Sequence, residues 1–356
     1  MTAPAPARGH SPAGQVPRFL GEGEVRELFP LPVAVRTMRE VMGAFSAGEV
    51  TQPVRTVLRP PARDGVDPGL FGSMPAHVPV DGHYWYGIKS VVVRADNPAR
   101  GLDTHVGTVT VFAPDTGLPV AVMPASVVTE LRTAAVSAVA TDALARPDAE
   151  TLAVIGAGAQ ARAHVTAMLA VRPVRRVLVW ARDGDRAREF AAWITDRHGL
   201  PVTVCDSVRE ATAGADLVCT TTSAREPLLD LADLAPGTHV NAVGACQPGA
   251  RELSSALVAG AAVFLDSRDA AAGEASELLV PVSEGLIPPD HPRAELGAVL
   301  RGSAQGRRDA DEITVYLSLG LAVQDVAAGV TVARCAAERE SGTTWAADAT
   351  WWSPSA

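Results

Sequence analysis

The chain has 356 residues, of which 47% are hydrophobic and 20% charged, with a formal net charge of −9. This length carries about two domains at roughly 150 residues each, and the balance is that of a globular chain, not a disordered one. The acidic excess argues against a nucleic-acid partner, which needs a basic face, and no apolar run reaches the roughly 18 residues of a membrane span.

Residues 1–17, rich in Ala and Pro, read as a disordered tail without the apolar core of a signal peptide. A helix comes next, carrying Val25, Leu28 and the stretch from Val33 to Phe45. From 51 to 123 the segments TQPVRTVLRP, HYWYGIKSVVVRAD and THVGTVTVF are β-branched and punctuated by Gly, Pro and Asp, which predicts a largely antiparallel sheet with hairpins. Gly117, in PDTGLP, is free to take the positive φ of a turn. An Ala-rich helix then runs from about Ser126 to Arg146, where Pro147 stops it.

Beyond Pro147 strands and helices alternate. TLAVI (151–155), RVLVW (176–180), DLVCTT (216–221), THVNAVG (238–244) and AVFLDS (262–267) are apolar on both faces, as buried parallel strands are. A Pro- and Gly-rich connector spans 281–312, and EITVYLSLGLAVQDVAAG begins as a strand and becomes a long helix that returns to the first domain. The fold class is α/β: a Rossmann doubly wound parallel sheet over 134–312, plus a discontinuous α+β domain from 18–133 and 313–345. Residues 346–356 form a tail; Trp345, Trp351 and Trp352 mark either a frayed end or a segment docked in a groove. Cys205, Cys219, Cys246 and Cys335 are widely spaced without a metal-ligand pattern, which fits a reducing compartment, the cytoplasm.

Gly156-Ala157-Gly158-Ala159-Gln160-Ala161 is a GxGxxA turn between a strand and a helix. Gly156 makes the tight turn, Gly158 lets the backbone approach a pyrophosphate, and Ala159 and Gln160 open the helix whose N-terminus offers donors. Ala161 is small enough for helix–strand packing. Past the second strand, Arg182 suits a 2′-phosphate and favours NADPH, while Asp183 leaves NADH open. Of the 31 basic residues one is a lysine, Lys89, and the rest are arginines, so a lysine was kept where most positions drifted to Arg. It sits in an apolar strand, where desolvation lowers a lysine's pKa and suits it to proton transfer.

KSVVVRADNPARGLDTHVGTV, ELRTAAVSAVAT, VIGAGAQARAH, NAVGACQPGARELSSAL and SLGLAVQD together resemble the ornithine cyclodeaminase/mu-crystallin family, over about residues 50 to 330. TQPVRTV and NAVGACQPGARELSSAL look nearest to its mu-crystallin, or ketimine reductase, branch. The resemblance implies a homodimer whose first domain serves substrate and dimer contacts, and a nicotinamide cofactor. It implies carboxylate binding by Arg55 and Arg132, whose forks suit bidentate recognition, and an active-site role for Lys89. It places Thr133 at the cofactor phosphates or nicotinamide and Val243 and Ser318 at the nicotinamide end; Thr221, closing the third Rossmann strand, joins the cofactor set. His105 is a candidate second acid, against a reading as a strand histidine bonded to backbone. Asp325 reads as a helix charge or cap rather than a base.

Cys246 departs from the family pattern, since ornithine cyclodeaminases carry an aspartate there. A thiol is a poor substitute for that base and has no partner evident in sequence to make it a nucleophile, so Cys246 shapes the pocket. The expected activity is hydride transfer from NADPH, or NADH, to a cyclic imino acid of the 1-pyrroline- or 1-piperideine-2-carboxylate type. The alternatives are an amino-acid dehydrogenase or cyclodeaminase, and an NADPH-dependent binding protein without turnover. Phe71, Met74, His77 and Trp85 are candidate walls of the pocket.

Overall fold

The computed structural model describes residues 17–62, 68–246 and 248–344, so the readings of the amino-terminal tail and of Trp345, Trp351 and Trp352 lie outside the described residues. The chain opens with β1 (Arg18–Phe19), α1 (Glu22–Leu28) and α2 (Leu31–Ser46). After β2 (Thr56–Leu58) come four strands joined in hairpin fashion, namely β3 (Leu70–Val80), β4 (His83–Val93), β5 (His105–Phe112) and β6 (Pro119–Pro124). Strict alternation sets their two faces. Met74, Ala76 and Val78 of β3, Gly87, Lys89 and Val91 of β4, and Val109 and Val111 of β5 are turned inward and buried.

The next helix, α3 (Ala125–Leu144), has no polar stripe and is buried through most of its length, because alanines let α2 on one side and α4 (Ala159–Val171) on the other approach closely. Between them lies β7 (Thr151–Ile155), and then come β8 (Arg176–Trp180), α5 (Gly184–His198), β9 (Val202–Val204), α6 (Val208–Thr212), β10 (Leu217–Thr220) and β11 (His239–Ala242). The chain continues through α7 (Ser255–Gly260), β12 (Ala262–Leu265), α8 (Arg268–Glu274), α9 (Ser276–Ser283), β13 (Ala294–Glu295) and α10 (Leu296–Leu300). It closes with β14 (Thr314–Leu317), α11 (Ala322–Glu338) and β15 (Thr343–Thr344).

Two sheets result. The first has seven strands in the order β15-β1-β6-β5-β4-β3-β2, antiparallel except where β1 runs alongside β6. The second has eight strands, all parallel, in the order β13-β12-β14-β11-β10-β7-β8-β9. Its order reverses between β7 and β10, the switch point at which doubly wound sheets bind ligands beyond their carboxyl ends.

Two boundaries differ from the sequence expectation. The domain return expected at 313 begins later, because β14 is an interior strand of the parallel sheet; only α11 and β15 rejoin the first sheet. The boundary expected after 133 falls inside α3, which is one continuous helix touching both halves. Strands β1 and β15 are two residues long, too short for a period-2 pattern to register.

Candidate active site

The phosphate turn is built chiefly from what its residues lack. Gly156 has φ +118°, and a Cβ there would sit 2.8 Å from both the carbonyl oxygen and Oγ1 of Thr221. A Cβ on Gly158 would meet nothing within 4 Å, so the space above the helix is open. Gly158 is the N-cap of α4 and supplies no capping side chain, which leaves the first N–H groups of α4 to a ligand. Nearby, Thr133 Oγ1 and Gln160 Oε1 are buried without a hydrogen-bond partner. The uncapped helix end, the open space over Gly158 and the orphaned Thr133 hydroxyl, which can donate, fit a dinucleotide pyrophosphate.

The parallel sheet gathers the rest of the expected cofactor set at one edge. Gly156 follows β7, Thr221 follows β10, Val243 follows β11, Ser318 follows β14 and Arg182 follows β8, all at carboxyl ends of neighbouring strands. Val243 N donates to Thr220 O at 3.0 Å and Ser318 N to Ala242 O at 2.9 Å, which continues the ladder into the loops. Arg182 is exposed. Asp183 is the N-cap of α5, its Oδ1 accepting from Asp185 N at 3.0 Å and Arg186 N at 3.2 Å.

A cluster of buried charge lies where α11 crosses the first sheet. Lys89 Nζ is 2.6 Å from Asp325 Oδ2, and Arg132 Nε donates to Asp325 Oδ1 at 2.9 Å. Arg132 Nη1 donates to Gln324 Oε1 at 2.8 Å. Asp325 is fully buried and the two cations nearly so. Burial pushes the Lys89 amine down to about 8 against the pull of Asp325, helped by the neighbouring charge of Arg132. Burial opposes the charged form of Asp325, yet the Arg132 and Lys89 charges outweigh it and hold the carboxylate below its usual range. Asp325 is therefore the counter-ion of the site, not the helix charge or cap that the sequence suggests.

The turn after β14 separates this cluster from a cleft. Gly320, at φ +81°, lies under the Arg132 guanidinium, and a Cβ there would be 2.8 Å from Nη2. Its N–H donates to Asp266 Oδ2 at 2.8 Å, and Asp266 also accepts from the Tyr316 hydroxyl. On the other side Arg55 Nη2 donates to the carbonyls of Leu319 and Gly320, each at 3.0 Å, and pairs with Glu274 Oε2 at 2.7 Å. Phe45, Gln52, Arg55, Met74, Glu274 and Gly320 line a cavity of about 100 Å³ there, small beside drug-sized pockets.

Other expected residues fall less centrally. Cys246 lies on the loop after β11, part-exposed and outside the lining of that cavity. His105 opens β5 opposite Val93; burial, then the Lys89 and Arg132 charges, push its ring below the usual range. No hydrogen bond to its ring occurs among the described residues, so the backbone partner expected for it is not there. Of the four candidate wall residues only Met74 lines the cavity. Phe71 and His77 point to the outer face of the sheet, opposite Val92 and Tyr86, and the Trp85 side chain packs toward the core.

A model of the ornithine cyclodeaminase/mu-crystallin family matches residues 17–340. The chain belongs to this family. Within it, a Delta(1)-pyrroline-2-carboxylate reductase of Bacillus cereus is 36% identical over 324 residues, 91% of this chain and 98% of that protein. The ketimine reductase mu-crystallin of Mus musculus is 35% identical over 322 residues, 89% of this chain and 97% of that one. The structure of Thermococcus litoralis Delta(1)-pyrroline-2-carboxylate reductase in complex with NADH and L-proline superposes with a TM-score of 0.88 at 30% identity, covering 92% of this chain and all of that one. The structure places beside the expected residues Asp266, Glu274 and Tyr316, which sequence reasoning passes over, and Asp325, which it reads as a helix charge. For Asp325 a signal exists, since Gln324-Asp325 is a polar pair in an otherwise apolar helical run.

Proposed function

We propose that the protein is an NAD(P)H-dependent reductase of small cyclic imino acids, the five- or six-membered ring 2-carboxylates. The observation that carries this reading is the buried Lys89–Asp325–Arg132 cluster, which lies across the Gly320 turn from a cavity lined by Arg55. The bound dinucleotide supplies the hydride. The chain's own groups do the rest. Arg132 is held rigid by Asp325 and Gln324 and presents its remaining edge toward the Gly320 turn. Arg55 stands on the other side of that turn, and a substrate carboxylate entering there displaces Glu274 from its fork. Lys89 Nζ, carrying a proton at neutral pH, delivers it to the imine nitrogen, and Asp325 stabilises the ammonium until transfer. A protonated iminium accepts hydride at carbon and becomes the neutral amine.

Cys246 supplies no carboxylate to take protons from a free diamine, which favours reduction of a preformed imine over cyclodeamination. Arg182, exposed beyond β8, favours NADPH, and Asp183 is engaged as a helix cap rather than left to a ribose hydroxyl. A second copy of the chain is the proposed partner. Leu58, Phe71, Val92 and Val106 are cross-strand neighbours forming an exposed apolar row over β2, β3, β4 and β5. Such a row suits an interface between copies. The proposed location is the cytoplasm; no helix among the described residues is long and apolar enough to cross a membrane.

The test is NADPH and NADH consumption with five- and six-membered cyclic imino-carboxylates, pyruvate with ammonia, and ornithine with oxidised cofactor. Turnover of a cyclic imine with NADPH preferred is expected. Turnover with ornithine alone overturns the inference from Cys246, and dinucleotide binding without turnover on any of them overturns the enzymatic reading.

A further inference from the structure

The carboxylate of Glu252 is fully buried in a loop that the reaction does not touch, and it gathers four donors. Its Oε1 accepts from Thr222 N and Thr222 Oγ1, each at 2.7 Å. Its Oε2 accepts from Thr220 Oγ1 and Gly244 N, each at 2.7 Å. The backbone of Glu252 is fixed in turn: its N–H donates to Glu277 Oε1 at 2.6 Å, and its carbonyl accepts from Leu228 N and Leu229 N.

Those four donors come from the end of β10 with the loop leaving it and from the loop leaving β11. The loops are drawn so close that a Cβ on Gly244 would lie 2.1 Å from Thr222 O and 2.5 Å from Glu252 Oε1. The first loop also abuts the phosphate turn, since Thr221 is what a Cβ on Gly156 would strike. The second carries Val243. We infer that Glu252 is a positioning residue: its carboxylate clasps the β10 and β11 loops together and sets the wall against which the nicotinamide half of the dinucleotide lies. The inference rests on the cofactor reading proposed above.

The clasp is specific to a carboxylate. Each oxygen takes one hydroxyl, which can rotate, and one backbone N–H, which cannot. An amide in place of the carboxylate turns its NH₂ toward Thr222 N or Gly244 N whichever way it is set, so glutamine has the right shape and the wrong donors. Groups behind a binding site that orient it typically change function by about 10- to 100-fold when lost.

The experiment compares wild type with Glu252→Gln for binding of the full reduced dinucleotide, binding of its ADP-ribose half with and without the 2′-phosphate, turnover of a cyclic imine, and Tm. The expected result is that ADP-ribose affinity stays near wild type, while dinucleotide affinity and kcat each fall about tenfold or more. Unchanged dinucleotide affinity and kcat overturn the clasp. Equal weakening of both halves with a lowered Tm also overturns it, because a merely structural residue behaves so. Should Glu252→Gln fail to fold, Thr220→Val removes one hydroxyl donor at constant shape; it is expected to weaken the full dinucleotide and spare the ADP-ribose half, and no change overturns the clasp. A wild type that binds the dinucleotide no better than ADP-ribose overturns the cofactor reading itself, a result distinct from a tight wild type with an indifferent variant.

Discussion

The phosphate turn and the charged cluster solve opposite problems. The turn at 156–161 is a local run of small residues whose backbone does the binding; removing side chains makes the site. The cluster is made of Lys89, Arg132 and Asp325, drawn from a strand and two helices across most of the chain, with Arg55 and its partner Glu274 across the Gly320 turn. The first tolerates water and needs exposure. The second depends on burial, since charge pairs gain strength, and lone charges become costly, as water is excluded. A backbone site is written in adjacent letters, whereas a buried ionic site exists only once the fold closes.

If that contrast holds, the two regions break differently. The largest effect belongs to Asp325→Asn, which leaves Lys89 and Arg132 as buried cations without their counter-ion; breaking a buried pair from one side costs about 3–5 kcal/mol. Thermal unfolding should detect a lowered Tm, together with loss of turnover. Next is Gly156→Ala, where the positive φ and the contact with Thr221 impose about 1–3 kcal/mol of strain. Its signature is weakened dinucleotide affinity in a titration, with substrate KM little altered.

Arg55→Ala removes a charged donor from the substrate side alone. A hydrogen bond to a charged group is worth about 1.5–3 kcal/mol, so KM for the imino acid should rise roughly tenfold to a hundredfold while dinucleotide affinity holds. The smallest effect is Arg182→Ala, which should reduce the ratio of NADPH to NADH efficiency by about tenfold, the lower end of the same range, without changing turnover on NADH.

The charged cluster also has a pH signature. Lys89 is pushed down to about 8 in the folded protein and works in its protonated form. As pH rises through that value the site loses its proton donor. In the reductive direction kcat/KM should therefore be level near neutrality and fall above about 8.

Legibility divides along the same line. The GxGxxA turn, five of the eight strands of the parallel sheet and the antiparallel hairpins are readable because each is fixed by neighbours in sequence. Lys89 stands out by composition, as the single lysine among so many arginines. Asp325 does not, because an acid near the start of a helix is ordinarily a capping charge; only the inward face of α11 over β3 and β4 makes it a counter-ion. The placement of β14 is hidden too, since a four-residue apolar strand carries no mark of which sheet it joins. The clasp by Glu252 depends on two loops separated from it by up to 32 residues, a distance no local pattern spans.

Lys89 is the residue on which the proposed chemistry most directly turns. The deciding measurement is kcat/KM for a cyclic imino-carboxylate with wild type and Lys89→Met, alongside dinucleotide affinity for both. A general acid is worth about 10²- to 10⁴-fold, so the variant should fall by that factor while its dinucleotide affinity stays as it was. A Lys89→Met protein that turns over at the wild-type rate would contradict the role assigned to the buried cluster.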